Sequence, residues 1–177
     1  MKNKVFIATS LDGYIADANG GIEWLHAIPN PDNDDMGYSE FMTGIDALIM
    51  GRTTFEIVCG FDMEWPYQIP VFVLSNSLTS LPEKFNGKVE LVKGELTQIL
   101  DHIHSKGFKN LYIDGGRTIQ SFLREDLIDE ITITLIPYLL GDGIPLFANL
   151  PKKLDFECVN SKIYLDKVVQ NRFVRNR

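Results

Sequence analysis

The chain has 177 residues, 45% of them hydrophobic and 23% charged, which are ordinary proportions for a globular protein. This length predicts a single domain over residues 1–177, and a domain of this size buries roughly 70% of the surface of its unfolded chain. The formal net charge of −7 argues against general binding to nucleic acids or anionic membranes. No apolar stretch approaches the roughly 18 residues of a membrane-spanning helix.

The residues that could bind metals or form disulfides are poorly placed for either role. Cys59 and Cys158 are far apart and form no Cys-x-x-Cys motif. His102 and His104 are two residues apart on a predicted helix, so their side chains diverge. The two cysteines could still pair with each other. The basic N-terminus lacks the sustained apolar segment of a signal peptide, so we expect a cytoplasmic protein with reduced cysteines. From the spacing of the cysteines and histidines we expect no metal ion.

The N-terminal part of the chain combines a buried strand with a long irregular segment. The pattern predicts a strand over Val5–Thr9, which enters a turn at Asp12-Gly13. Residues 17–37 are rich in Gly, Asn, Asp and Pro, with Trp24 in an apolar island. Tyr38–Thr43 is predicted as a short helix. Long loops in compact domains are usually functional, so residues 17–37 are a candidate functional segment.

Short apolar strands alternate with helices over the middle of the chain. The pattern predicts strands over Asp46–Met50, Val71–Leu74 and Val89–Val92, and a helix over Thr53–Val58. The clearest helix is Glu95–Lys106, because its apolar residues recur at i, i+3, i+4 and i+7 and a glycine follows.

The C-terminal part continues this alternation and then changes to strands only. Leu111–Ile113 is predicted as a strand and is followed by a helix with an apolar face over residues 119–123. Glu130–Ile136 is predicted as a further strand, and Leu154–Val159 and Lys167–Val174 as an antiparallel pair. The sequence therefore predicts an α/β domain with a mixed central sheet flanked by helices and a C-terminal antiparallel hairpin.

One order of residue types occurs twice where a predicted strand is followed by a helix. The first copy is Gly51-Arg52-Thr53-Thr54, and the second is Asp114-Gly115-Gly116-Arg117-Thr118. Helix N-termini present unpaired N–H groups and the positive end of the helix dipole, so they suit phosphates. Two such turns predict an elongated polyanionic ligand such as a dinucleotide. The alternative is that the glycines only permit a turn and the arginines are solvated. Neither copy is a GxGxxG or Walker A motif.

Six segments spread over most of the chain occur in a recognisable order. They are Ser10-Leu11-Asp12-Gly13-Tyr14-Ile15-Ala16, Asp46-Ala47 with Gly51-Arg52-Thr53-Thr54, Leu74-Ser75, Ile113-Asp114-Gly115-Gly116, Leu127-Ile128-Asp129-Glu130 and Pro137-Tyr138-Leu139-Leu140-Gly141-Asp142-Gly143. With these motifs the chain resembles the dihydrofolate reductase-like superfamily, and especially bacterial stand-alone proteins related to the reductase domain of the bifunctional riboflavin-biosynthesis enzyme. The resemblance implies a mostly parallel central sheet with NADPH bound across its strand ends.

The resemblance also implies which residues contact NADPH. The turn at Gly51 would hold the pyrophosphate and the adenosine phosphate, the turn at Gly115 would face the pyrophosphate, and the turn after Leu74 would lie beside the adenine and the 2′-phosphate. The nicotinamide would contact Ala8 and Ile15. The implied set is Ala8, Ile15, Gly51, Arg52, Thr53, Thr54, Leu74, Ser75, Asn76, Ser77, Asp114, Gly115, Gly116, Arg117, Thr118 and Asp142.

Several of these positions have a second interpretation. Ser75-Asn76-Ser77 is equally an ordinary polar turn, and Asp12-Gly13 is equally a hairpin-type turn. The role of Asp142 is as readily conformational as it is one of contact. Asp114 stands where folate reductases often carry another glycine. Because a carboxylate is unfavourable close to phosphates, we expect the side chain of Asp114 to turn away from them or to contact the ribose.

A reductase also needs a proton donor and a substrate pocket. The resemblance places the acid at Asp35, and Asp12 beside the nicotinamide is a second candidate. The alternative for Asp35 is that the run Asp32-Asn33-Asp34-Asp35 caps a helix. Trp24 and Tyr38 are expected to line the substrate pocket, with packing in the core as the alternative for both.

Three functions are compatible with these residues. The first is an NADPH-dependent reductase of a small heterocyclic or carbonyl substrate, like 5-amino-6-(5-phosphoribosylamino)uracil reductase. The second is a dihydrofolate reductase, against which the lengthened loop Pro29-Asn30-Pro31-Asp32 argues. The third is a non-catalytic, regulatory NADPH-binding protein. The resemblance further implies a homodimer, with an interface from Ile131–Leu140 and the terminal hairpin, and no nucleic-acid or membrane partner.

Overall fold

The computed structural model describes residues 1–177 without a gap. Four α-helices are present, namely α1 (Tyr38–Thr43), α2 (Arg52–Cys59), α3 (Leu96–Ser105) and α4 (Gly116–Arg124). Two short 3-10 helices, Glu23–His26 and Glu83–Phe85, lie in the loops. The ten strands are β1 (Lys2–Ser10), β2 (Tyr14–Ala16), β3 (Ala47–Gly51), β4 (Val71–Leu74), β5 (Val89–Val92), β6 (Asn110–Asp114), β7 (Glu130–Ile136), β8 (Ile144–Pro145), β9 (Phe156–Tyr164) and β10 (Val168–Arg175).

Eight of the strands form one sheet in the order β5-β4-β3-β6-β1-β7-β10-β9. Every pairing from β5 to β7 is parallel, whereas β10 is antiparallel to both β7 and β9. Parallel neighbours need crossover connections, and helices supply several of them. The predicted mixed, mostly parallel sheet with flanking helices and a C-terminal antiparallel hairpin is confirmed.

Most predicted elements lie where the sequence patterns place them. The bounds predicted for α1, β4, β5 and β7 are the observed ones. The strand predicted over Leu154–Val159 is wrong at both ends, since β9 begins at Phe156 and continues to Tyr164. The two-stranded sheet of β2 and β8 is not predicted, because its strands have only three and two residues. Segments this short carry no readable alternation.

The core lies on both faces of the large sheet. One face packs against α3 and α4, whose buried residues include Ile99, Ile103 and Phe122. The other face packs against α1 and α2 through Phe41 and Phe55. The carboxyl ends of β4, β3, β6 and β1 are thereby held at one edge between two layers of helices. No helix in the structure combines the length and the apolar character that crossing a membrane would require.

Candidate active site

The two Gly-Arg-Thr turns lie side by side. β3 and β6 are parallel neighbours, and Met50 is directly opposite Asp114 in their register. Both strands therefore end at the same level, and the turns that follow them lie at the same edge of the sheet. Residues more than 60 positions apart in sequence thus form one surface at the carboxyl ends of the strands, where open α/β sheets bind ligands.

Each turn uses glycine because it packs against a threonine of the other. A Cβ atom on Gly51 would lie 2.8 Å from Oγ1 of Thr118. A Cβ atom on Gly115 would collide with Oγ1 of Thr54, and the φ of +89° at Gly115 is itself unfavourable for other residues. Thr118 is buried, so this contact is part of the packed structure. The two turns therefore fit together through reciprocal glycine–threonine contacts.

The same turns leave two helix N-termini without side-chain caps. α2 begins at Arg52 and α4 at Gly116, and neither Gly51 nor Gly115 offers a capping side chain to the first N–H groups. Arg52 and Arg117 are exposed next to these N–H groups, and Arg52 makes only a loose contact of 3.8 Å with Glu56. Uncapped N–H groups, two positive helix ends and two guanidinium groups are a donor set that fits phosphates.

The turn after β4 borders the first of these turns. Leu74 is directly opposite Gly51 in the register of β3 and β4. Ser75 is buried, and its hydroxyl accepts hydrogen bonds from the backbone N–H groups of Leu78 at 3.0 Å and Ser77 at 3.3 Å. Ser75 therefore stabilises a polar turn, whereas the exposed side chains of Asn76 and Ser77 are available to a ligand.

The carboxylate of Asp12 connects the turn after β1 to the segment after β7. It accepts hydrogen bonds from the Ser10 hydroxyl at 2.5 Å and from the N–H groups of Leu140 at 3.2 Å and Gly141 at 2.8 Å. These bonds, that from Ser10 above all, lower the pKa of Asp12. The carboxylate of Asp142 accepts from the N–H of Gly143 at 2.8 Å and is likewise engaged locally. The Asp12 carboxylate therefore stays ionised and connects the turn after β1 to the segment after β7 through these hydrogen bonds.

Asp35 secures the start of α1. Its carboxylate accepts hydrogen bonds from the N–H groups of Gly37 and Ser39, both at 2.9 Å. The side chain is exposed, and the bonds from Ser39 and Gly37 lower the pKa of Asp35. The geometry therefore corresponds to the capping alternative. With its lowered pKa, the Asp35 carboxyl group is ionised near neutral pH and is poorly suited to donate a proton.

Asp114 has the opposite environment. It follows Tyr112 by two residues in β6, so its carboxyl group lies on the face that carries the phenol rings of Tyr38 and Tyr67. Burial raises the pKa of Asp114 to about 6, although the carboxylate accepts a hydrogen bond from the N–H of Gly115 at 2.8 Å. The sequence pattern gave no sign of this, because Tyr38 and Tyr67 reach Asp114 only in the folded chain.

The residues predicted beside the nicotinamide and substrate pack in two places. Ile15 lies against the second turn, since a Cβ atom on Gly116 would be 2.6 Å from its Cδ1. Ala8 and Trp24 pack together with Ile136. The indole Nε1 of Trp24 is buried and has no hydrogen-bond partner. A donor in that position is suited to a polar group of a ligand, since buried polar atoms are normally paired.

Tyr38 packs edge-on against Phe6, with ring centroids 5.7 Å apart, and is half-buried. Burial and the nearby Asp114 raise the pKa of the Tyr38 phenol. The Tyr38 ring therefore packs in the core, and its phenol lies close enough to the carboxyl group of Asp114 for the two groups to interact electrostatically. Elsewhere, Cys59 and Cys158 are free thiols. The structure contains no group of three or more His, Cys, Asp or Glu side chains that could hold a metal ion.

Family membership follows from a comparison of the whole chain with known families. The model of the RibD C-terminal domain matches residues 4–169. The chain belongs to the RibD C-terminal domain family. The YwjB protein of Bacillus subtilis (strain 168), which is named as uncharacterised, is 33% identical over 176 residues, and the match covers 98% of each chain.

Solved structures with the same architecture agree with this assignment. A protein from Shewanella sp. PV-4 that is named for riboflavin biosynthesis is 53% identical, with a TM-score of 0.97 over 100% of both chains. Dihydrofolate reductase from Enterococcus faecalis, solved with NADP(H), is 15% identical, with a TM-score of 0.67 over 99% of this chain and 97% of the reductase. The chain therefore has a dihydrofolate reductase-like fold, and its resemblance to that superfamily is confirmed.

Proposed function

We propose that this chain is an NADPH-dependent reductase of a small heterocyclic or carbonyl substrate, in the manner of 5-amino-6-(5-phosphoribosylamino)uracil reductase. The observation that carries the proposal is the reciprocal packing of the Gly51 and Gly115 turns, which sets two uncapped helix N-termini side by side. Membership of the RibD C-terminal domain family and the riboflavin-biosynthesis name of the Shewanella protein support the same reaction class.

In this proposal, one group of residues binds the cofactor and another residue donates the proton. Bound NADPH would supply the hydride. The N–H groups at the start of α2 and α4, with Arg52 and Arg117, would bind its phosphates. Because the pKa of Asp114 is about 6, about a tenth of its carboxyl groups carries a proton at pH 7, far more than for a carboxyl group with an ordinary pKa. We therefore propose Asp114 as the group that donates the proton to the reduced substrate, in place of Asp35 and Asp12.

The two alternatives differ in what they require of the substrate side. A dihydrofolate reductase would need a carboxylate on the first helix facing the pterin, and Asp35 instead binds the N–H groups of Gly37 and Ser39 at the protein surface. A non-catalytic NADPH-binding protein would need no proton-holding group, and the burial of Asp114 among phenol rings favours catalysis.

Binding of the cofactor is tested by titration of nicotinamide fluorescence. Replacement of Arg52 by alanine is expected to weaken NADPH binding by roughly tenfold or more, since charge-assisted hydrogen bonds contribute about 1.5–3 kcal/mol. Binding of NADH, which lacks the 2′-phosphate, is expected to change little. Arg124→Ala, in the last turn of α4, is the matched control and should alter neither affinity. An equal loss for NADPH and NADH would contradict a 2′-phosphate contact, and absence of NADPH binding at micromolar concentrations would refute the proposed function.

Catalysis is tested by following NADPH oxidation with pyrimidine, dihydropterin and quinone substrates in separate assays. Oxidation with a ribosylated pyrimidine supports the proposal, and oxidation with dihydropterin alone would identify a dihydrofolate reductase. Tight NADPH binding without oxidation by any of the three classes would point to the regulatory alternative.

A further inference from the structure

The charges of the chain are distributed unevenly along its sequence. Residues 5–83 contain twelve Asp and Glu residues but a single Lys or Arg, which is Arg52, whereas the other sixteen Lys and Arg residues lie outside this stretch. The stretch includes residues 17–37, α1, α2 and the loop between α2 and β4. These segments pack on the face of the sheet that carries Asp114. The face with the proposed acid is therefore covered by strongly acidic segments.

Asp114 lies between two groups of aromatic side chains. Tyr38 begins α1, and Tyr67 lies in the loop between α2 and β4. The ring of Tyr67 packs edge-on against Trp65 with centroids 5.2 Å apart, and Trp65 packs against Phe55 of α2 at 5.9 Å. Both phenols interact electrostatically with the half-buried carboxyl group of Asp114. We name the space bordered by Tyr38, Tyr67 and Asp114 the substrate cleft.

The polar groups of the substrate cleft are uncharged, except for the carboxyl group of Asp114. The hydroxyl of Tyr112 is engaged within the chain, since it donates to a backbone carbonyl at 2.9 Å, whereas those of Tyr38 and Tyr67 make no such bond. Burial raises the pKa of both free phenols, so they stay protonated and can each donate a hydrogen bond. Every group that shifts the pKa of Asp114, Tyr38 or Tyr67 is a carboxyl, a phenol or a backbone N–H, and none is a cation.

This distribution of charge is unfavourable for a phosphorylated substrate. Phosphates are bound through charge-assisted hydrogen bonds, mostly from Arg and Lys. The single arginine of the stretch, Arg52, belongs to the turn that would bind the cofactor. The segment with Tyr67 adds the exposed carboxylates of Glu56, Asp62 and Glu64. A phosphate in the substrate cleft would therefore be repelled without a compensating cation.

An uncharged planar ring is favourable in the same place. Aromatic side chains pack against planar rings in offset or edge-on arrangements, and their hydroxyls can bond the polar edge of a ring. The loop with Tyr67 also exposes large apolar side chains, since Phe61 is 42% and Met63 61% exposed. The indole Nε1 of Trp65 is buried without a hydrogen-bond partner. Apolar surface and neutral donors thus occur together in this loop.

We propose that the substrate is an uncharged planar heterocycle without a phosphate group, bound between Tyr38 and Tyr67 with its polar edge toward Asp114. This inference rests on the proposed reductase function and narrows its substrate class. A ribosyl group is neutral and fits the substrate cleft, whereas a 5′-phosphate on that group does not. The substrate therefore differs from a phosphoribosylated pyrimidine in lacking the phosphate, and phosphates bind only at the two glycine turns.

A matched pair of probes tests the substrate class by binding. Riboflavin and FMN share one uncharged planar ring system and differ by one phosphate group. The full chain is first saturated with NADP⁺, which is not fluorescent and would fill the phosphate turns, and quenching of flavin fluorescence then reports binding. Riboflavin should bind at least about tenfold more tightly than FMN. Equal or tighter binding of FMN would overturn the proposal, as would absence of riboflavin binding at about 1 mM.

Variants of Tyr67 test the location. Tyr67→Arg adds a guanidinium group beside Asp114, so FMN should bind at least as tightly as riboflavin. Thr97→Arg adds the same charge at an exposed position of α3, over the other face of the sheet, and should keep the wild-type preference. Tyr67→Phe keeps the ring and should weaken riboflavin binding about fivefold through loss of the hydroxyl. Wild-type affinities in Tyr67→Phe, or a wild-type preference in folded Tyr67→Arg, would overturn the proposal.

Kinetics separate this inference from the function on which it rests. The kcat/KM for NADPH oxidation should be at least about tenfold higher with 5-amino-6-(ribosylamino)uracil than with its 5′-phosphate. An equal or higher kcat/KM for the phosphate would overturn the inference and leave the reductase function standing. Absence of NADPH binding would refute the reductase function, and the two flavins can still be compared without NADP⁺.

Discussion

Replacing Asp114 by asparagine should stabilise the protein at neutral pH while impairing the reaction. Burial raises the pKa of Asp114 from 3.8 to about 6, so the folded chain holds this proton more tightly than the unfolded chain does. Between these values the folded state binds more protons, and stability therefore falls as pH rises. Ionisation of Asp114 above pH 6 then costs up to about 3 kcal/mol, at about 1.4 kcal/mol for each tenfold change in the equilibrium constant. Asparagine avoids that cost and still accepts the N–H of Gly115.

Urea unfolding from about pH 4 to about pH 8, followed by tryptophan fluorescence, measures this effect. The variant should gain free energy of unfolding relative to the wild type as pH rises, and the gain should level off above pH 6. Asp46→Asn is the matched control of opposite sign. The carboxylate of Asp46 accepts the N–H groups of Asn110 at 2.7 Å and Lys109 at 2.8 Å, which lower its pKa, so its removal should destabilise the protein at neutral pH.

The same variant tests the proton-donor role. Loss of a general acid typically lowers kcat by about 100-fold or more, so Asp114→Asn should be more stable and much slower. Wild-type kcat should fall as pH rises through about 6, whereas the residual activity of the variant should lack that dependence. A variant no more stable than the wild type at neutral pH would refute the raised pKa. Unchanged kcat, with the stability gain present, would refute the role in catalysis alone.

Two further substitutions test neighbouring parts of the site. Gly115→Ala should destabilise the fold by at least about 1 kcal/mol in urea unfolding and abolish NADPH binding by fluorescence titration, because φ is +89° and the new Cβ would collide with Thr54. A variant with wild-type affinity would contradict the packing of the two turns. Asp35→Asn, which preserves a capping side chain, should keep both melting temperature and kcat, whereas Asp35→Ala should lower only the melting temperature. Loss of kcat in Asp35→Asn would restore Asp35 as the acid.

The fold could be predicted from the sequence because its elements carry local signals. α3 repeats its apolar residues at helical spacing, and a glycine follows it. β7 is a run of seven mostly apolar and β-branched residues bounded by Pro137. The small sheet of β2 and β8 carries no such signal, since its two short strands lie about 130 residues apart in sequence and one contains a proline.

The candidate site divides in the same way. The two glycine turns could be recognised because each follows a strand and begins a helix, so their residue types are set locally. The proposed general acid, Asp114, could not be recognised from the sequence. Its pKa depends on burial beside residues from α1 and from the loop before β4. Asp35 carried a local signal for capping, and capping is what its hydrogen bonds perform. Local chemistry could be predicted, whereas an environment assembled from distant segments required the structure.

The end of β6 carries both the Asp114 carboxyl group and the start of a proposed phosphate-binding turn, and the electrostatic repulsion between the carboxylate and the phosphates can be tested. The side chain of Asp114 follows that of Tyr112 onto one face of the sheet, while Gly115 and Gly116 lead into α4, which covers the other face. A carboxylate aimed at the phosphate turns would repel the cofactor, and its removal would tighten NADPH binding about tenfold. The N-terminus of α2 lies on the same face as Asp114, but the Asp114 carboxylate already accepts the N–H of Gly115 and is partly protonated, so Asp114→Asn should change the affinity for NADPH by less than about twofold. A marked gain in affinity in the fluorescence titration would mean that the side chain faces the phosphates after all.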